Sequence, residues 1–414
     1  MDLADKLKAL GVKVGTADIS PPLPKTISEF PIEAVVDGQW VETRQGETFV
    51  SCQTFGPDYK HGEIPICLES PFDGLANWLG EARLQDMPIS ALAFLDTETS
   101  GLAGGTGTYA FLVGVGRFVQ SHAKGEQEVF QLRQFFMREP AEEAAMLEAL
   151  LDFLAPCQAL VTFNGKAFDA PLLATRYTLH NIPIPFKGFL HIDLLPLARR
   201  LWRDRLPSRA LKYLEENLLM APRSSEEVPG YEIPWLYFDY LRTGDARPLK
   251  GVFYHNAMDV VAMSALLRLM NNLLADPHGS EIEHGLDLIA LAKLFEDLGR
   301  WEDAARLFER GLQREIPETD FWQAVRRLSL LQRRRGDLEQ AAALWKQAAA
   351  QGHVYAHVEL AKYYEHHCKD FSSALQWVEE ALDRLQNSAL PAYVHRHWQE
   401  DLEKRKERLL KKVK

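Results

Sequence analysis

Cysteine is scarce. Four residues in 414, Cys52, Cys67, Cys157 and Cys368, stand far apart, with no CxxC pair and no His-Cys cluster. Neither a disulfide framework nor a structural zinc site is expected, and a reducing compartment suits the chain. Long apolar runs are missing as well: no uninterrupted stretch reaches the about 20 residues that cross a bilayer, and the opening MDLADKLKALGVKVG has no apolar signal-peptide core. We expect neither secretion nor membrane insertion, but a cytoplasmic protein. Positive charge is in deficit, 47 Lys and Arg against 58 Asp and Glu for a net charge of −11. That excludes coating nucleic acid through a general positive field and leaves only a local basic groove for such a ligand.

What remains is a globular composition, 46% hydrophobic and 25% charged, which excludes global disorder and supplies cores for two or three folding units. Residues 1–85 alternate turn formers (Pro21, Pro22, Pro24, Gly56, Pro57, Gly62, Pro65) with short pieces such as ETFVSCQTF and read as a β-rich lead-in. Residues 86–275 begin with three strand-like runs, ALAFL, TYAFLVGVGRF and EVFQLRQFF. The helix-patterned AEEAAMLEALLDFLA, the strand ALVTFN and the helical FDAPLLATRYTL follow. A meander followed by alternating helix and strand predicts an α/β unit with helices flanking a sheet.

Residues 281–414 show no strand pattern but are self-similar. GRWEDAARLFERGL, GDLEQAAALWKQAA and KDFSSALQWVEEAL align Ala304, Ala341 and Ala374 at separations of 37 and 33 residues, with Gly311, Ala348 and Ala381 in step. The spacing resembles tetratricopeptide helix pairs, whose period is about 34 residues; an irregular helical bundle is the plainer alternative. Such stacks bind peptides or proteins, so a protein partner is expected there and catalysis elsewhere. A chain ending near Leu274 is expected to keep its activity.

Chemistry concentrates in the middle segment. AFLDTETSG places Asp96 and Glu98 two apart at a strand end, hence on one face, where two like charges need a cation or a proton. In LVTFNGKAFDAPLL, Asp169 opens a helix after the turn at Asn164 and Gly165; an acid there also serves simply to stabilise a helix N-terminus. In FYHNAMDVVAMSALLRLM, Asp259 shares a helix face with Ala262, Met263, Leu266 and Met270, and His255 lies one turn before it.

In order and setting, Asp96, Glu98, Asp169 and Asp259 resemble the acids of the DEDD-type 3′-to-5′ exonucleases, which have a ribonuclease-H-like fold. The wording FLDTETSGLAGGTGTYAFLVGVG, VTFNGKAFDAPLL, HIDLLPLARRLW, VPGYEIPWLYFDYLRTGD and HNAMDVV resembles the bacterial YprB-like branch, from about Ala91 to Met270. The resemblance implies a mixed sheet flanked by helices, ahead of the all-α repeats, and two divalent ions, Mg²⁺ or Mn²⁺, held by the four acids. It also implies a nucleic acid with a 3′ end, DNA or RNA, as substrate. A non-catalytic adaptor and a structure-selective endonuclease on the same fold are the alternatives.

Superfamily members activate water with a Tyr four residues before the last Asp or a His five before it. Here His255 stands four before and Tyr254 five before, the reverse of each pattern. His255 is the expected base, because its spacing sets it beside Asp259 and its ordinary pKa suits the task. Thr97, Asn164, His191, Asp193, Arg199, Arg203 and Tyr254 are candidate substrate contacts. The run ARRLWRDRLPSRALK reads either as a solvated helix face or as a local basic groove in which Trp202 stacks on a base. GGTG from Gly104 to Gly107 lacks the Lys-Ser/Thr of a phosphate loop and is expected to form a tight turn over Gly101–Gly107, close to the site. The basic end EKRKERLLKKVK reads as a frayed helix end or a nucleic-acid tail.

Overall fold

The structure is a computed structural model describing residues 29–69, 71–101, 107–121, 127–279, 282–386 and 392–413. Residues 1–28 of the lead-in and most of the expected Gly101–Gly107 turn lie outside them.

Among the described residues, seven strands form one mixed sheet: β1 (Gln39–Thr43), β2 (Gly46–Phe55), β5 (Leu92–Thr99), β6 (Ala110–Ser121), β7 (Gln127–Phe136), β8 (Ala159–Thr162) and β9 (Leu190–Asp193). β3 (Lys60–His61) and β4 (Ile64–Pro65) make a separate small hairpin. The spatial order is β1-β2-β7-β6-β5-β8-β9. β5, β6 and β7 are the antiparallel meander expected from their apolar runs, and β8 and β9 add in parallel to β5. The lead-in hairpin β1–β2 joins the same sheet by pairing along β7, covering an edge that would otherwise present unpaired backbone groups.

Strand alternation divides the core in two. On one face Phe94, Phe118, Phe130 and Leu132 pack against Val260, Val261 and Leu267 of the long helix Leu249–Ala275. On the other, Ala93, Leu95, Val115 and Phe135 pack against Met146, Leu150 and Phe153 of the helix Glu143–Leu154. Leu249–Ala275 is the one described helix long and apolar enough to span a bilayer, but its apolar window is 67% buried, as befits a core helix.

After residue 281 the described helices Gly285–Asp297, Trp301–Leu312, Glu318–Arg335, Leu338–Ala350, Val354–Tyr363, Phe371–Gln386 and Ala392–Val413 pack each on the next. Ala304, Ala341, Ala374, Ala348 and Ala381 are wholly buried between them. A Cβ on Gly311 would lie 2.7 Å from Ile289 Cδ1, so a side chain there would have to push Ile289 aside.

Two expectations for the basic segments are corrected. Trp202 is 2% exposed and belongs to the core, so it cannot stack on a base. Its neighbours Arg200 and Arg205 pair with Asp297 and Asp287 of the first repeat helix, the latter at 2.8 Å, and Lys293 reaches back to Asp204 at 3.2 Å. Arg199 is exposed, and Arg203 is largely solvated beside Asp204. Nor does the C-terminal helix fray: Leu402 and Leu409 are fully buried. Arg405, Arg408 and Lys412 surround the buried Glu365 at 2.7, 2.8 and 3.2 Å. Burial would raise the Glu365 carboxyl, but the hydrogen bonds from Arg408 and Lys412 and the nearby charges bring it down to about 2.

Leu197, Ala198, Leu201 and Trp202 form one buried cluster with Leu288, Leu291 and Ala292 of the first repeat helix. Burying each such large side chain is worth about 1.5–3 kcal/mol. A chain ending at Gly279 should therefore melt well below the full chain or aggregate. Thermal melting with gel filtration measures this, and an unchanged melting temperature would show that the helical region contributes nothing to the sheet unit.

Candidate active site

The carboxyl end of β5 is where the sheet opens. β5 pairs with β8 only as far as Phe94 opposite Val161, and from Asp96 on its residues are only partly buried. A crevice outside the carboxyl ends of parallel strands is the usual ligand position of an open α/β sheet. Asp96 and Glu98 occupy this end of β5, just before an irregularity in the pairing with β6 at Glu98/Thr99.

Asp169 arrives from the far side of β8. Asn164 has φ of 68°, and the backbone N–H groups of Asn164 and Lys166 donate to the two carboxylate oxygens of Asp193 at 2.8 and 3.2 Å. Asp193 Oδ1 also accepts from Leu195 N–H at 3.1 Å, capping the helix Leu194–Trp202. A Cβ on Gly165 would lie 2.6 Å from Thr162 Cβ and 2.8 Å from Asp169 Oδ2, so the turn needs glycine to pass Asp169. Thr97 donates its hydroxyl to Asp169 Oδ1. His191 bonds Thr162 Oγ1 through Nε2 at 2.8 Å, and burial lowers its pKa. His191 and Asp193 thus brace the turn that delivers Asp169.

The helix Leu249–Ala275 brings the rest. His255 Nε2 lies 3.7 Å from Asp259 Oδ2 and 4.0 Å from Glu98 Oε1, while Nδ1 lies 3.0 Å from Glu227 Oε1. An ionised Glu227 only accepts, so in the neutral ring the proton sits on Nδ1 and Nε2 faces the acids. Tyr254 turns away, its hydroxyl accepting from Ser224 N–H at 2.9 Å.

Electrostatics join the four acids. Burial pushes the Asp96 carboxyl well above the ordinary range, and the charges of Asp259, Glu98 and Asp169 push it further against His255. Burial, Asp259 and Asp169 do the same to Glu98, with Arg223 opposing. Burial also raises Asp169, against the hydrogen bond from Thr97. Burial would lower His255, but the hydrogen bond with Glu227 and the charges of Asp259 and Glu227 outweigh it and raise its pKa.

Several residues of the site carry no recognisable pattern in the sequence. Asn256, fully buried, donates through Nδ2 to Asp96 Oδ2 at 2.9 Å, and Gln134 Nε2 donates to Asn256 Oδ1 at 3.0 Å. A Cβ on Gly114 would come within 2.2 Å of Asn256 Oδ1, which explains the glycine in the middle of β6. Arg223, its side chain 1% exposed, reaches Asp259 and lies 2.7 Å from Glu215 and 3.0 Å from Glu227. His61 of β3 meets the other side of Glu215 at 2.7 Å. Only the placement of Asn256 between His255 and Asp259 on one helix could have suggested its part; Arg223 lies in an irregular stretch with no periodicity to read.

Among the described residues no group of three His, Cys, Asp or Glu side chains is gathered tightly enough to hold an ion as the side chains stand. The acids are instead satisfied separately: Asp259 by Arg223, Asp96 by Asn256 and Asp169 by Thr97. The donor set still fits a hard divalent cation, because it is all carboxylate oxygen and its members repel one another.

Comparison with known proteins accords with this arrangement. Residues 93–271 match the family model of the RNase H superfamily. The chain is also 35% identical over 297 residues to the uncharacterized protein YprB of Bacillus subtilis (strain 168), a match that covers 70% of this chain and 69% of that one. The matched segment runs from β5, with Asp96 and Glu98, to the helix bearing Asp259, and the meander with two parallel strands is the ribonuclease-H-like sheet. The chain therefore belongs to the RNase H superfamily.

Proposed function

We propose that the chain is a metal-dependent nuclease, specifically a 3′-to-5′ exonuclease of DEDD type acting on DNA or RNA. The observation that carries the reading is the convergence of acids from three separate elements on one crevice: His255 Nε2 lies 3.7 Å from Asp259 and 4.0 Å from Glu98, and Thr97, between Asp96 and Glu98, donates to Asp169. Asp96, Glu98, Asp169 and Asp259 would hold two ions, Mg²⁺ or Mn²⁺. Bound there, such ions supply the positive charge that a phosphodiester requires as its attacking and leaving oxygens become negative.

The chain's own groups do the rest. His255 Nε2 takes the proton from the attacking water, with Glu227 holding the ring through Nδ1. Asn256 and Thr97 fix the orientation of Asp96 and Asp169. Arg223 supplies positive charge to Asp259 until ions do so. A non-catalytic adaptor on the same fold would have no use for four acids at this cost of repulsion. We further read the helical stack as a tetratricopeptide-type docking surface for a protein partner, and the chain as cytoplasmic.

Two experiments test the site. A carboxyl whose folded pKa exceeds its unfolded value holds its proton more tightly in the folded chain. It therefore favours folding at low pH, and that advantage disappears as pH rises from the unfolded value through the folded one. Asp96 and Glu98 are both of this kind, so ion-free stability in EDTA should fall as pH rises above the ordinary carboxylate range. Asp96→Asn should flatten the fall. Millimolar Mn²⁺ should raise the melting temperature at neutral pH, because an ion that binds only the folded chain stabilises it by RT ln(1 + [L]/Kd). A melting temperature indifferent to Mn²⁺ would remove the metal site and the nuclease reading with it.

The second experiment is turnover on single-stranded DNA and RNA with Mg²⁺ or Mn²⁺, the 3′ end free or blocked. Hydrolysis should need the free end, and hydrolysis undiminished by the blocking group would indicate endonuclease action. Asp96→Asn should abolish turnover with the fold intact. His255→Ala should lower it by about 10²- to 10⁴-fold and Tyr254→Phe should change it little, while the opposite ranking would move the base to Tyr254.

A further inference from the structure

The sheet face that packs on the helix Glu143–Leu154 changes character toward the end of that helix. Along β6 the residues on this face run Val113, Val115, Arg117, and along β7 they run Phe135, Arg133, Gln131. Val115 stands opposite Arg133 and Arg117 opposite Gln131, so the two arginines are diagonal neighbours on adjacent strands. Two like charges so placed on one face destabilise a sheet unless an anion joins them.

A cavity of about 260 Å³ opens at this point, with Arg117, Arg133, Val50, Ala149 and Phe153 in its wall. Arg117 Nη1 donates to Phe153 O at 2.6 Å, at the carboxyl end of the helix, but its Nε–H is closed to solvent and has no acceptor among the described residues. Arg133 lies over the Phe153 ring, its Cζ 4.6 Å from the centroid, and Arg117 lies over the same ring at 4.9 Å. Neither arginine is in an ion pair among the described residues, whereas Arg205 meets Asp287 at 2.8 Å and Arg223 meets Glu215 at 2.7 Å. The cavity is separate from the carboxylate crevice. Arg117 stands opposite Ala93 at the start of β5, while Asp96 and Glu98 lie toward its other end, and His255 and Asp259 come from the helix on the other face.

We propose that this cavity binds a phosphorylated sugar, free or as part of a nucleotide, with the phosphate between Arg117 and Arg133. Two guanidinia offer planar forks of donors and two positive charges, and a phosphomonoester answers with three terminal oxygens and a charge of about −1.5 to −2 near neutrality. A single carboxylate would meet only one of the two charges. Glu42, Gln131 and Asp152, also in the cavity wall, can accept hydrogen bonds from hydroxyl groups, and Val50 and Ala149 cover carbon. The room suits a ligand of this size, since a cavity of about 150 Å³ already encloses benzene. The site goes beyond the nuclease reading and stands or falls without it.

Isothermal titration calorimetry of the full chain tests it with ribose 5-phosphate, adenosine 5′-monophosphate, inorganic phosphate and unphosphorylated ribose. EDTA is present throughout, so that no ion in the crevice recruits phosphate. An ester should bind, and the tighter of the two identifies the source as a free sugar phosphate or a nucleotide. Inorganic phosphate should bind more weakly, because it leaves the rest of the wall uncovered, and ribose should show no binding. Arg133→Gln and Arg117→Gln should each weaken the ester by about 10- to 100-fold, and Arg133→Lys, which keeps the charge without the fork, should recover only part of the loss. Asp96→Asn should bind the ester like the parent. If Arg117→Gln fails to fold, Arg133→Gln decides alone. No ester binding by the full chain, inorganic phosphate bound as tightly as either ester, or an Arg133→Gln variant that binds like the parent would each overturn the site. Loss of binding in Asp96→Asn would overturn it as well, by placing the phosphate in the crevice.

Discussion

Four carboxylates held within mutual reach at the end of one strand are the constraint around which the middle of this molecule is built. Burial and repulsion both raise the cost of ionising Asp96 and Glu98, and a fold that tolerates this must supply counter-charge and hydrogen bonds locally. It does so with a different partner for each acid. Arg223 lies against Asp259, yet it is itself enclosed by Glu215 and Glu227, so its charge is shared and the cluster stays short of cations. That shortage is what the proposed divalent ions would relieve.

The need to orient Asp96 reaches deep into the sheet. Asn256 is wholly buried, and its amide is satisfied from both sides, giving to Asp96 and accepting from Gln134, which also donates to Phe253 O at 2.8 Å. A buried polar chain of this kind is tolerable only when its members find partners. β6 gives up a side chain at Gly114 to admit it. The strand interior thus accepts a weaker residue so that a carboxylate at its neighbour's end points into the crevice.

These relations explain which parts were legible beforehand. The meander, the alternation of β8 and β9 with helices, and the helical stack follow from apolar periodicity, which survives in the sequence because burial selects it residue by residue. Asp96, Glu98, Asp169 and Asp259 were singled out by the resemblance of their order and setting rather than by position alone, and His255 by its spacing from Asp259; the structure brings His255 to 3.7 Å from Asp259 and 4.0 Å from Glu98. Trp202 was misread because a tryptophan among arginines looks alike on a basic groove and on a helix whose arginines bind another helix; only the partners Asp287 and Asp297, about 85 or more residues away in sequence, separate the two. Arg223 and Glu227 were illegible because they lie in an irregular stretch and meet Asp259 and His255 across 36 and 28 residues of sequence.

The position of Asp193 ties the helical stack to the chemistry. Its carboxylate holds the turn at Asn164 and Lys166 that presents Asp169, and the same carboxylate caps the helix Leu194–Trp202. That helix packs through Leu197 and Leu201 on Leu288 and Leu291 and is pinned by Arg200 and Arg205 to Asp297 and Asp287. The helical region therefore buttresses the element whose first turn organises one wall of the crevice. Anything that shifts the first repeat helix against the sheet must also load Asp193, and through it the turn that sets Asp169 opposite Thr97.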